Sequence, residues 1–134
     1  HEYLGDSVEG KDVFVADDII ASGDSILDLA YNLKKRKAKR VFAGATFAFF
    51  TSGLEAFDKA YADGVIDHVF ATHLTYTPQA VLDRPWFSQA DMSKYMAFVI
   101  ATLNHDQSLS YLLNPWNRIE KLLTKYRAEH PHND

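Results

Sequence analysis

Residues 13–25 read VFVADDIIASGDS. Val13 to Ala16 are apolar at every position, the pattern of a strand covered on both faces rather than on one. Asp17 and Asp18 then place two carboxylates side by side at the carboxyl edge of that strand. Like charges so close repel unless a ligand or a metal offsets them. Ser22-Gly23-Asp24-Ser25 follow, and beyond them Ile26, Leu27, Leu29, Ala30 and Leu33 recur near helical spacing. The stretch is therefore strand, turn and helix start, with the acids at the junction where a ligand would sit.

Working outward, KDVFVA (Lys11 to Ala16) is the expected strand, and Asp17 to Gly23 carries the turn chemistry that ends it. Asp24 or Ser25 is the expected cap of a helix reaching about Lys37. RVFAGATFAFF (Arg40 to Phe50) reads as a second buried strand leading into Thr51-Ser52-Gly53. Leu54, Phe57, Ala60 and Tyr61 form a helical stripe that stops at Asp63-Gly64, and His68 to Thr72 is a short third strand. Leu74 to Gln89 is a loop with a short strand at Trp86 to Ala90. Ser93 to Asn104 is helical, and PWNRIEKLLTKYR (Pro115 to Arg127) is a terminal amphipathic helix with Pro at its first position.

Strands alternating with helices over short links predict right-handed crossovers and an α/β, doubly wound, Rossmann-like parallel sheet. Ligands of such sheets bind at the carboxyl ends of strands. The ends to watch are Asp17-Asp18, Phe50 to Gly53, and Thr72 to Thr77. With barely a dozen residues ahead of its first strong strand, the sheet is expected to be incomplete on its N-terminal side and the chain to be one part of a larger protein.

Composition narrows the function. The chain has 134 residues, 47% hydrophobic and 13% aromatic, enough for a solid core. It contains no apolar run of membrane-spanning length and opens with HEYLGDSVEG, which lacks the marks of a signal peptide. The absence of cysteine fits a reducing compartment, so a cytoplasmic location is expected. A net charge of -4 offers no footprint for nucleic acid. The basic run KKRKAKR (Lys34 to Arg40) falls where a helix ends, and cations there complement the helix dipole.

The turn has a chemistry of its own. Ala21 to Ser25 would present successive backbone amides at a helix N-terminus, with the Ser22 and Ser25 hydroxyls beside them, a cradle for a phosphate dianion. Asp17 and Asp18 are acceptors and suit sugar hydroxyls, or a divalent cation shared with the ligand. Phosphate at one end and diol at the other describes a pentose 5-phosphate. The plain structural alternative is a turn followed by a helix cap.

The whole pattern resembles the phosphoribosyl pyrophosphate signature of the type I phosphoribosyltransferase fold. Other stretches are similar to ribose-phosphate pyrophosphokinases, which make phosphoribosyl pyrophosphate. These are LGDSVEGKDVFVADDIIASGDSI (Leu4 to Ile26), Phe49-Phe50-Thr51-Ser52-Gly53 before a helix, Asp91-Met92-Ser93 before another, and HDQSLSYL (His105 to Leu112). The resemblance implies the C-terminal half of a two-domain enzyme that transfers pyrophosphate from ATP to the 1-hydroxyl of ribose 5-phosphate, with Mg2+ required. It divides the chain into an α/β domain over residues 1–113 and a helical extension over 114–134. It assigns Ala21, Ser22, Gly23, Asp24 and Ser25 to the 5-phosphate, Asp17 and Asp18 to the ribose hydroxyls directly or through Mg2+, and Ser108 and Ser110 to regulation. Homo-oligomers are implied as well.

The sequence departs from the family at three places. Ala21 stands where an acid is usual, Asp24 where glycine is usual, and Leu113 where an aromatic is usual. Asp24 in a phosphate cradle is expected to turn outward and cap the helix. The family's ATP-binding residues and basic catalytic loop belong to stretches that precede these 134 residues, so this chain alone is expected to bind without turnover. A nucleobase phosphoribosyltransferase and a non-catalytic sensor of phosphoribosyl pyrophosphate or nucleotides remain alternatives. The six histidines, among them His68, His73, His130 and His132, show no metal-site spacing. Thr51 and Ser52 read as caps of the next helix or as ligand contacts, and Trp86, Phe87 and Trp116 as packing.

Overall fold

The computed structural model describes residues 7–110 and 114–130. These form two compact units that divide after Met92. In the first, the order is β1 (Asp12–Ile20), α1 (Asp24–Lys35), β2 (Arg40–Ala48), α2 (Glu55–Ala62), β3 (His68–Thr72), α3 (Gln79–Leu82) and β4 (Phe87–Ala90). The second holds α4 (Ser93–Asn104) and α5 (Trp116–Glu129). Leu4 to Asp6, Tyr111 to Leu113 and His132, named above, lie outside the described residues.

All four strands are parallel and stand in the order β1-β2-β3-β4. This is the α/β parallel-sheet class that the alternation of strands and helices predicts. Sequential order with right-handed crossovers puts α1 and α2 on the same side of the sheet. Burial agrees: Val41, Ala43, Ala45, Val69, Ala71 and Phe87 face the helices and are buried. Ile26, Leu27, Ala30 and Leu33 of α1, with Phe57 and Ala60 of α2, close that side. On the other side Phe14 packs on Phe70 with ring centroids 6.5 Å apart, and Phe14 keeps 61% of its surface exposed.

β1 runs four residues beyond the expected end at Ala16 and reaches Ile20. Aspartate is a poor strand former, but the parallel ladder to β2 continues through Asp17↔Ala45, Ile19↔Phe47 and Ile20↔Ala48, and this pairing overrides propensity. Asp17 and Asp18 therefore belong to the strand, and the turn shrinks to Ala21–Gly23. Burial also changes phase along β2, from odd positions up to Ala45 to Ala48 and Phe50 beyond.

α1 begins at Asp24 with Gly23 as N-cap and no side-chain cap hydrogen bond, which corrects the expected capping by Asp24 or Ser25. It ends two residues early, at Lys35. Its closing turn uses Lys37 at φ 64° and a hydrogen bond from Ala38 N–H to Leu33 C=O of 3.1 Å. The basic run is engaged in ion pairs: Lys34 with Asp67, Lys37 with Glu9, and Arg40 with Asp12.

The heart of the first unit is aromatic. Phe50 meets Phe57, Trp86 and Phe87 edge to face at 5.1, 5.6 and 5.9 Å, and Phe57 stacks on Trp86 at 5.3 Å. Asp58 fixes the cluster from one side, accepting from Trp86 Nε1 at 2.7 Å and from Arg84 Nε at 3.0 Å. Phe50 adopts φ 49°, a left-handed conformation that a bulky residue holds only when its packing over-determines it.

In the second unit α4 matches its expected span. Thr102 is buried there and donates its hydroxyl to Phe98 C=O at 2.7 Å. α5 carries the expected stripe of Trp116, Ile119, Leu122, Leu123 and Tyr126, all exposed, and none of its residues is buried.

Two measurements follow from this packing. Phe57→Ala removes the centre of the cluster and should lower unfolding free energy by about 3–5 kcal/mol in urea titrations. Burial lowers the pKa of His68 from 6.5, and its Nε2 lies 2.7 Å from Ser88 Oγ. The unfolded chain therefore takes up this proton first as pH falls. Stability from the neutral ring is complete above the unfolded value and declines as pH drops below about 6.5. Thermal melts should show that decline, and His68→Gln should flatten it.

Candidate functional site

The site is built where three strand ends meet. From β1 the chain turns through Ala21, Ser22 and Gly23 directly into α1. Ile20 C=O accepts from Phe49 N–H at 2.8 Å, and Ala21 C=O accepts from Thr51 N–H at 2.9 Å. The turn after β1 is thus tied by its backbone to the turn after β2, and the two move as one piece.

Gly23 is required twice over. Its φ is 95°, and a Cβ placed there would lie 2.2 Å from Cε2 and 2.5 Å from Cζ of Phe57. Phe57 is wholly buried and held by its aromatic neighbours, so it cannot yield. Its ring therefore sets the height of the turn over the core.

Ser22 donates its hydroxyl to Asp24 Oδ2 at 2.9 Å, while Asp24 N–H approaches Ser22 Oγ at 3.4 Å. The carboxylate is thus engaged by the turn while the residue stays exposed to solvent. Ser25 is exposed in the first turn of α1, and so is Asp28 one turn further on.

A shallow cleft of about 250 Å3 is lined by Asp17, Gly44, Ala45, Thr46, Phe70, Ala71, Thr72 and Ala90. It takes in Thr72 and Ala90, the last residues of β3 and β4, and the carboxyl ends of strands are where parallel α/β sheets take ligands. Asp17 supplies its single carboxylate. Thr72 Oγ1 donates to Thr46 C=O at 2.6 Å, binding the ends of β2 and β3 together. None of these lining side chains carries a positive charge.

Asp17 and Asp18 do not converge. Neighbouring strand residues leave on opposite sides. Asp17 lines the cleft, with Oδ1 accepting from Asp18 N–H at 2.8 Å, while Asp18, equally exposed, lines none of it. Among the described residues no group of three or more His, Asp or Glu side chains is placed to hold a metal ion. One carboxylate still suits Mg2+, which keeps most of its waters and binds through one or two carboxylates plus a ligand's phosphates.

Other expected residues have structural duties. Thr51 and Ser52 do not cap α2, whose N-cap is Leu54 without a side-chain bond. His73 Nδ1 accepts from Met92 N–H at 2.9 Å and Nε2 lies 3.3 Å from Asp91 Oδ1, so the ring joins the ends of β3 and β4. In the second unit the Ser108 and Ser110 hydroxyls are 2.8 Å apart. Ser110 borders a separate cleft of about 460 Å3 with Asn114, Asn117, Arg118 and Lys121. Gly44, Thr46 and Ala90 entered the first cleft unannounced. Only the register Asp17↔Ala45↔Ala71↔Gln89 reveals them as neighbours.

The fold is a parallel α/β sheet in which β1 carries two adjacent carboxylates and passes through a short turn directly into a helix. The phosphoribosylpyrophosphate synthetase from Mycobacterium smegmatis has this fold. It superimposes with a TM-score of 0.65 over 76% of this chain and 33% of its own, at 20% identity. No family model matches the sequence. Ribose-phosphate pyrophosphokinases do: that of Vibrio cholerae is 35% identical over 111 residues, 83% of this chain and 34% of the relative. That of Shewanella oneidensis is 32% identical over the same length. The chain belongs to the ribose-phosphate pyrophosphokinase family and spans about a third of the length of these relatives, consistent with a portion of the C-terminal half.

The packing of Gly23 is open to direct test. Gly64 also has a positive φ, 66°, but nothing lies within 4 Å of a Cβ built there. Gly64→Ala should cost about 1 kcal/mol, and Gly23→Ala at least ~2 kcal/mol more, in parallel denaturation curves.

Proposed function

We propose that this chain is the ribose-5-phosphate-binding part of a ribose-phosphate pyrophosphokinase. The observation that carries the reading is the Ala21–Gly23 turn, locked above Phe57 and opening directly onto the N-terminus of α1, with Asp17 four residues ahead of it in β1. Its amides, with the Ser22 and Ser25 hydroxyls, receive the 5-phosphate. Asp17 and Asp18 are the acceptors for the ribose hydroxyls. Donors aimed from a fixed backbone suit an anion because little ordering remains to be done on binding.

In the family's reaction the ribose 1-hydroxyl oxygen attacks the β-phosphorus of ATP. The bond from that phosphorus to the α–β bridging oxygen breaks, AMP leaves, and the hydroxyl proton is lost. Chemistry of this type depends on positioning and charge neutralisation more than on covalent help from the protein. This chain's share is positioning: anchoring the phosphate and the ring hydroxyls fixes where the 1-hydroxyl points. Mg2+, held in part by Asp17, supplies neutralisation of phosphate charge when bound. ATP contacts and the basic catalytic loop come from the rest of the enzyme, so the 134 residues alone bind without turnover, and the whole enzyme works as a homo-oligomer.

A sensor of phosphoribosyl pyrophosphate or nucleotides is the second reading, favoured by Asp24 standing where the family's glycine is usual. Among the described residues, no helix is long and apolar enough to cross a membrane.

Isothermal titration with ribose 5-phosphate, phosphoribosyl pyrophosphate and ATP, each with and without Mg2+, distinguishes these readings. Ribose 5-phosphate should bind more tightly with Mg2+. Asp17→Asn and Ser22→Ala should each weaken it about tenfold, the worth of one charge-assisted hydrogen bond. Parent-like binding by both variants would move the site elsewhere. Binding of phosphoribosyl pyrophosphate without ribose 5-phosphate would favour the sensor.

A further inference from the structure

The Asp24 side chain is the charged group next to the turn, and it bonds back to Ser22 where a capping role is expected. It is the first residue of α1 and accepts from Ser22 Oγ at 2.9 Å. The positive end of a helix dipole attracts an anion, and here an anion of the chain itself stands there. We propose that Asp24 is a resident competitor in the phosphate cradle, a specificity-determining residue that sets the site against unneutralised phosphate. The inference rests on the ribose 5-phosphate reading above.

Three observations carry it. First, the Ser22 hydroxyl that a phosphate oxygen would use already donates to Oδ2, so an incoming ligand must displace the carboxylate before it gains that hydrogen bond. Second, the turn cannot retreat to make room. Gly23 is pinned at φ 95° over the Phe57 ring, and Ala21 C=O is bonded to Thr51 N–H. The side chain of Asp24 is the part free to move, by rotation about its own bonds into solvent, where the residue is already exposed.

Third, the local charge gives the phosphate no relief. Asp28 stands four residues on along α1, Asp17 lies four residues ahead of the turn in β1, and the cleft that Asp17 lines has no cationic side chain. A dianion entering this cradle therefore meets a carboxylate at contact distance. Two like unit charges about 4 Å apart repel by ~1 kcal/mol even at the dielectric of water. An uncharged sugar feels no such repulsion.

Consequently the site discriminates by charge. It accepts phosphate poorly when the phosphate is bare and better when a divalent cation accompanies it. Affinity for the sugar hydroxyls is untouched, because those are held by Asp17 and Asp18.

The experiment compares the parent chain with Asp24→Asn and Asp24→Gly by isothermal titration, using ribose 5-phosphate and unphosphorylated ribose without Mg2+. Thermal melts check that each variant is folded. Asp24→Asn keeps the shape and the acceptor but loses the charge. It should bind ribose 5-phosphate about tenfold more tightly than the parent, while weak ribose binding stays the same. Asp24→Gly, which also releases Ser22, should bind it at least as tightly. Mg2+ should then narrow the gap between the parent and either variant.

Folded variants that bind ribose 5-phosphate no better than a parent that does bind would overturn the role of Asp24 and leave the site standing. Equal tightening for ribose and ribose 5-phosphate would also overturn it, because the effect would not depend on charge. If neither the parent nor the variants bind the sugar phosphate, with or without Mg2+, the site itself is wrong and the inference falls with it.

Discussion

The contact between the Phe57 ring and the backbone of Gly23 governs the functional end of this fold. A fully buried aromatic occupies the space a side chain at residue 23 would need, so the turn closes down onto the core. Phe57 in turn is gripped by Phe50 and Trp86, and Trp86 by Asp58. Core packing and site geometry are therefore one problem. Whatever shifts the aromatic cluster shifts the cradle.

Strand and helix positions were readable because burial leaves a simple imprint. β2 lies between β1 and β3 and is apolar almost throughout. α1 and α2 each bury a single stripe, so their periodicity was plain. β1 was read four residues short because Asp17 and Asp18 look like turn residues. What keeps them in the strand is pairing with β2, which no local pattern displays. α3 went unseen for a different reason. Gln79–Leu82 is a single turn after Pro78, too short for any repeat to declare itself.

Sequence spacing set the acids a few residues ahead of the small-residue turn, and the structure keeps that order, with Asp17 lining a cleft of its own. Spacing could not say that Asp18 would stay out of that cleft, nor that Thr46 and Thr72 would join across strands. Asp24 is the instructive miss. A capping preference is a statement about averages, and here the Ser22 hydroxyl, two residues back, offered the carboxylate a closer partner than the helix amides.

The backbone bonds from Phe49 to Ile20 and from Thr51 to Ala21 have a thermodynamic meaning of their own. They join two strand-end turns that would otherwise be independent loops, and Phe50, held at a positive φ between them, acts as the rivet. Loops that close over a ligand lose conformational entropy at the moment of binding. Here that entropy was lost when the chain folded. The heat capacity of binding should then reflect the ligand's own desolvation, with little added from loop ordering, and the main chain of this corner should be as quiet before a ligand arrives as after.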